Sequence, residues 1–295
     1  MRVRVVLAMV LAFGVVAPGA AQVVDETQIF PVVAHTEGAG DPPTSWRSDL
    51  TVHNVMDVEL TVGVMFLPFN RANDAEEGDM EELVLDPRET LTIEDVIVEL
   101  FGINENTSGA LLLMCDAETF PSNSDDAAML ATTRTYTVGS ALGTFGTAVQ
   151  AVPLSGRILN AGQSISLITG ARNDSDYRSN LGIVNISFSG LAITVHYRFL
   201  DQGGFEIATG SKDLLEYSGG QWSFRSLGVP RVIEGPLTVE LWLDPDDIAG
   251  DPCVLDEDDL NLFVAYATKV DGNPTGSGDG EFIYAASLED VECDN

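Results

Sequence analysis

Carboxylates are the residues of this chain best suited to chemistry. The segment Asp271-Gly-Asn-Pro-Thr-Gly-Ser-Gly-Asp-Gly-Glu281 offers Asp271, Asn273, Asp279 and Glu281 as oxygen donors. Calcium takes six to eight oxygens from flexible loops of this kind. A second acidic loop runs from Asp244-Pro-Asp-Asp247 to Asp256-Glu-Asp-Asp259. Neither has EF-hand spacing. A Ca2+ site at Asp271, Asn273, Asp279 and Glu281 is therefore an expectation from local acid density alone, set beside the plainer reading of a solvated acidic loop.

Other chemistries find less support. The histidines are His35, His53 and His196, with no close His or Cys spacing of the kind zinc requires. There is no Gly-x-Ser-x-Gly elbow and no phosphate-binding glycine loop after a strand. A glycosidase needs two carboxylates about 5–10 Å apart across a cleft, and no acid is singled out for either role. The expectation is an exported non-catalytic protein for extracellular binding, adhesion or scaffolding, with a protein or glycan partner. The alternative is a secreted carboxylate-dependent hydrolase acting on polysaccharide. Trp222, after Gly219-Gly220, is the preferred aromatic for a sugar platform over Trp242.

Arg47 and Arg178 recur in equivalent contexts, each just before a Ser and two residues after that an apolar Leu. A guanidinium suits a carboxylate or several carbonyls, so a structural role is expected at both. Asn54 and Asn185 end their strands, where an Asn side chain can bond local backbone. Of Cys115, Cys253 and Cys293, the last two are expected to form a disulfide in an oxidising compartment. Cys115 ends an apolar run and is expected to be a buried thiol.

These residues need elements to hold them, and the chain writes its elements twice. Trp46–Leu67 aligns without gaps to Tyr177–Arg198. Identities fall at Arg47/Arg178, Ser48/Ser179, Leu50/Leu181, Asn54/Asn185, Leu60/Leu191 and Val64/Val195. Leu50 and Val52, then Leu60, Val62, Val64 and Phe66, alternate with polar residues, the pattern of strands with one buried face. Ile93, Val96, Ile97, Leu100 and Phe101 form a helical stripe, predicting one short amphipathic helix at about 92–101 ended by Gly102. Its counterpart, Phe224–Gly228, reads as a turn or a short helix. Many short strands with regular turns predict an all-β protein of two tandem antiparallel β-sandwich domains, 22–154 and 155–295.

The runs Phe30-Pro-Val-Val-Ala34, Trp46-Arg-Ser-Asp-Leu50, Thr92-Ile-Glu-Asp-Val96, Leu100-Phe-Gly102 and Gly143-Thr-Phe-Gly146 carry a resemblance over most of the chain. It resembles a tandem module of secreted proteins from environmental bacteria. The resemblance implies immunoglobulin-like sandwiches and carries no active site with it. The Cys–Trp–Cys pattern of immunoglobulin domains is absent.

The start fits that context. Arg2 and Arg4, an apolar run from Val5 to Val16 and small residues to Ala21 read as a signal peptide, residues 1–21. The apolar run is too short to cross a bilayer. A secreted or periplasmic location is expected, with no membrane span. Lys and Arg total 14 against 46 Asp and Glu, a net charge of −32. Such a surface repels nucleic acid and anionic lipid, and suits solvation in a salty medium.

Overall fold

The computed structural model describes residues 24–38, 44–73, 80–115, 129–138, 146–154, 165–187, 190–231, 233–244, 262–271 and 280–287. The protein is all-β, and every strand pairing among these residues is antiparallel. The first half contains β1 (Val24–Asp25), β2 (Thr27–Glu37), β3 (Ser45–Asn54), β4 (Leu60–Pro68), β5 (Met80–Leu85) and β6 (Thr90–Ile93). Helix α1 (Val96–Glu99), β7 (Thr107–Cys115), β8 (Met129–Val138), β9 (Gly146–Gln150) and β10 (Val152–Pro153) follow. The second half contains β11 (Ser166–Ala171), β12 (Tyr177–Asn185), β13 (Ile193–Leu200), β14 (Glu206–Leu214) and β15 (Gly219–Ser223). A 3-10 turn (Phe224–Leu227), β16 (Leu237–Leu243), β17 (Phe263–Asp271), β18 (Gly280–Tyr284) and β19 (Ala286–Ser287) complete it.

In the first half one sheet has the order β5-β4-β7-β2-β10 and another β6-β3-β8-β9. They join where Thr36 and Glu37, at the end of β2, cross to pair with Trp46 and Ser45. In the second half the orders are β14-β13-β16-β11-β19 and β15-β12-β17-β18. Strand for strand, β4 takes the place of β13, and β3 that of β12.

Each pair of sheets closes over its own core. Phe30, Val62, Val64, Leu111 and Leu113 meet Leu50, Val52, Met129 and Ala131 in the first. Ile168, Val195, Phe199, Val239 and Leu241 meet Leu181, Ile183, Phe263 and Ala265 in the second. The alternation of β3 explains its orientation: Leu50 and Val52 are buried, while Thr51 and His53 face out and bond the side chains of Thr92 and Thr90.

The helix is shorter than its apolar stripe suggested. Thr90–Ile93 pair with β3 as strand β6, because β-branched Thr and Ile suit a pleated surface. Asp95, at φ 44°, turns the chain, and α1 covers only Val96–Glu99. Gly102, at φ 66°, follows it in the left-handed region.

A third core joins the halves. Ile29, Met65, Leu67 and Ala110, on the outer face of the β4 sheet, pack against Val184, Ile186, Leu262 and Val264 of the second half. Tyr266 is fully buried beside the first core. It lies over Gly182, where a Cβ would stand 2.0 Å from the ring. Its ring stacks on Phe282, with centroids 4.6 Å apart. Backbone bonds cross the junction, from Asn70 N to Gly219 O (3.0 Å) and Asn73 N to Glu216 O (3.0 Å). The Asn73 side-chain amide donates to Tyr217 O at 2.8 Å.

Candidate functional site

Along β12 the outward residues are Val184, Gly182, Asn180 and Arg178, in order away from the third core. The first two are covered. Asn180 and Arg178 emerge into a cleft of about 510 Å³ between the halves. Gln221 and Ser223 of β15, Thr268 of β17 and Glu281 and Phe282 of β18 continue that wall. The facing wall comes from the first half: Thr36, Glu37, Trp46, Thr135 and Thr147. The volume suits a small ligand or a short polymer segment.

The two carboxylates of the cleft have internal partners. Glu37 accepts from the Ser45 hydroxyl at 2.7 Å and from Arg47 at 3.1 Å. Those bonds hold it below the ordinary carboxylate range. Glu281 lies 2.8 Å from the Lys269 ammonium. Asn180 and Gln221 both donate to the Thr268 hydroxyl, at 3.1 and 3.3 Å. Among the described residues the Arg178 side chain makes no hydrogen bond or ion pair, and the residue is exposed.

Arg47 occupies the same place in β3 that Arg178 does in β12, with different surroundings. Its Nε lies 3.2 Å from Asp95, and its guanidinium donates to Trp46 O at 2.7 Å and to Glu37. His35 Nδ1 lies 2.8 Å from the same Asp95 carboxylate. Asp49 accepts from the Asp95 amide and from the Tyr136 hydroxyl, both at 3.0 Å. Burial, with Asp49 alongside, pushes the Tyr136 hydroxyl up to about 12. This network ties the end of β2 to β3, β8 and the start of α1.

Asn54 and Asn185 are both fully buried. Asn54 donates to Val58 O (2.8 Å) and Asp86 O (3.0 Å) and accepts from Met56 N (2.8 Å). Asn185 donates to Leu191 O (2.8 Å) and Leu215 O (3.0 Å) and accepts from Ser187 N (3.0 Å). Each pins the exit of its strand to two other segments. Ser48 and Ser179, which sequence reasoning aligned without giving a role, accept from Ala34 N and Arg172 N.

The expected metal ligands are divided. Asp271 ends β17, its backbone opposite Tyr177, and Glu281 is engaged by Lys269. Asn273 and Asp279 lie outside the described residues, as do the signal peptide, Cys253 and Cys293. Among the described residues no group of three His, Cys, Asp or Glu is placed to hold a metal. Cys115 is partly buried, and burial, reinforced by Glu26 and Asp25, pushes its thiol up to about 12.

The aromatics are arranged differently from the expectation. Trp222 lies opposite Leu181 and packs on the second core, with Lys212 5.0 Å above its ring. Trp242 stacks on His196 at 5.6 Å. Trp46, which was not singled out for binding, is the tryptophan in the cleft. No helix among the described residues is long and apolar enough to cross a membrane. Comparison with known proteins matched no family model and no curated protein.

Proposed function

We propose that the protein is an exported, non-catalytic binding module of two duplicated immunoglobulin-like sandwiches, whose cleft takes a glycan segment. One observation carries this reading: the cleft sets hydroxyls and amides beside Trp46 and apolar residues such as Val149, Val270 and Phe282, while both of its carboxylates are engaged by basic partners. Hydroxyl and amide groups match the donors and acceptors of a sugar ring. An indole stacks on the apolar face of a sugar while keeping a polar edge. The aligned strands β3 and β12, in matching sheet orders, support duplication. The leader-like first 21 residues support export.

A hydrolase would require one carboxylic acid with a raised pKa. Glu37 is shifted the other way, which favours binding over hydrolysis. The test combines calorimetry with polysaccharide fragments and an assay for released reducing ends. Binding that falls at least about tenfold in Trp46→Ala, with no release, fits the proposal. Reducing-end release that disappears in Glu37→Gln would replace it with hydrolysis.

A further inference from the structure

We infer that the cleft selects an acidic glycan, with Arg178 meeting a carboxylate carried on the sugar; this rests on the glycan reading above. The argument comes from comparing the two arginines. Around Arg47 stand Asp95, 3.2 Å from its Nε, and Asp49, which accepts from the Asp95 amide. In the second half the residue aligned with Asp49 is Asn180. Leu50 pairs with Ile93 and Leu181 with Trp222, so Ser223 stands where Glu94 stands in the first half. Asp49 and Glu94 are thus replaced by neutral hydrogen-bonding residues. Both of those residues, Asn180 and Ser223, line the cleft together with Arg178.

The second half thus keeps the guanidinium and has Asn180 and Ser223 beside it where the first half has Asp49 and Glu94. Among the described residues, the guanidiniums of Arg47, Arg88, Arg172 and Arg198 each pair with a carboxylate, whereas Arg178 stands in the cleft without one. Neither carboxylate of the cleft fills the gap, because Glu37 is held by Arg47 and Glu281 by Lys269. The Arg47–Asp95 contact shows what the missing partner would be. A guanidinium fork matches the two oxygens of a carboxylate. The hydroxyls and Trp46 around it fit that carboxylate being borne on a sugar ring. Net repulsion between the acidic protein and such a ligand is long-range and is screened within a few Å at roughly 0.5 M salt, whereas the contact at Arg178 is short-range.

The experiment is calorimetry on the full chain at high salt with two probes. One is a linear 1,4-linked galacturonate tetrasaccharide; the other is the same tetrasaccharide with its carboxyl groups reduced to alcohols. The expected result is preference for the acidic probe, with a loss of about 10- to 100-fold in Arg178→Gln, the range for a charged hydrogen bond. Ser223→Asp should also abolish the preference, by returning a carboxylate to Arg178, with the melting curve unchanged. Equal binding of both probes, unaffected by Arg178→Gln but lost in Trp46→Ala, overturns the role of Arg178 and leaves the glycan reading standing. Binding of neither probe overturns both. Tighter binding of a tetrasaccharide that carries sulfate esters in place of carboxylates than of the galacturonate overturns the assignment to carboxylate.

Discussion

At the scale of single residues, Asp174 shows how this acidic chain uses a carboxylate for structure. Its side chain is nearly buried, 4 % exposed. It accepts from the amides of Asp176 and Tyr177, both at 2.9 Å, and from Arg172 Nε at 2.7 Å. Burial alone would raise its pKa, but the two amides and the guanidinium outweigh burial and hold it below the ordinary value. A depressed folded-state pKa stabilises the fold above the unfolded value of about 3.9, and that contribution is lost as pH falls through the lower folded value. Asp174→Asn should lower the melting temperature at pH 7 and flatten its fall on acidification. Circular dichroism melts from pH 7 to pH 2 check this; parallel curves for variant and parent would refute it. The acid itself was visible in the sequence, but its role was not, because its partners form a turn whose closure only the fold reveals.

At the scale of elements, the strands were readable wherever one face is dry and the other wet. The alternation in β3 and β13 marks their inward residues correctly. In β12 it fails, since Gly182 and Val184 are buried on the outer face as well. The aligned outward residues of β3 are Thr51 and His53. The reverse holds in the other sheet, where buried Met65 and Leu67 of β4 align with His196 and Arg198 of β13. The mismatches within the repeat therefore mark the junction between the halves, whereas the matches mark only the cores. The helix was overestimated because its apolar spacing also fits a short strand followed by a turn. The cleft was not readable, because its walls come from distant segments and the change from Glu94 to Ser223 lies beyond the aligned stretch. Gly182→Thr copies the residue of β3 and drives a side chain into the Tyr266 ring. Overpacking of this kind costs about 1–3 kcal/mol, or a fall of roughly 2–5 °C in melting temperature for a chain of this size. Thr51→Gly, on the solvent side, should change melting far less. Differential scanning calorimetry of the two variants compares them directly.

At the scale of the whole molecule, the third core joins the outer face of the β4 sheet to the outer face of the β12 sheet. These are different surfaces of two halves with matching sheet orders, so the contact runs head to tail. A junction of that type has no built-in end, because each added unit presents the next one with a fresh surface, and unclosed repetition yields fibres. Among the described residues, the outer face of the first half away from the junction, its head, carries Thr51, His53 and Arg134; the corresponding face of the second half, its tail, carries His196, Arg198 and Glu240, with Arg198 and Glu240 paired to each other. These polar side chains differ from the apolar ones that meet in the third core. Giving the head Gly and Val at 51 and 53, and the tail Gly, Met and Leu at 194, 196 and 198, should let chains add to one another. Light scattering that rises with protein concentration would show the growth, and a variant that stays at the parent's size would refute it.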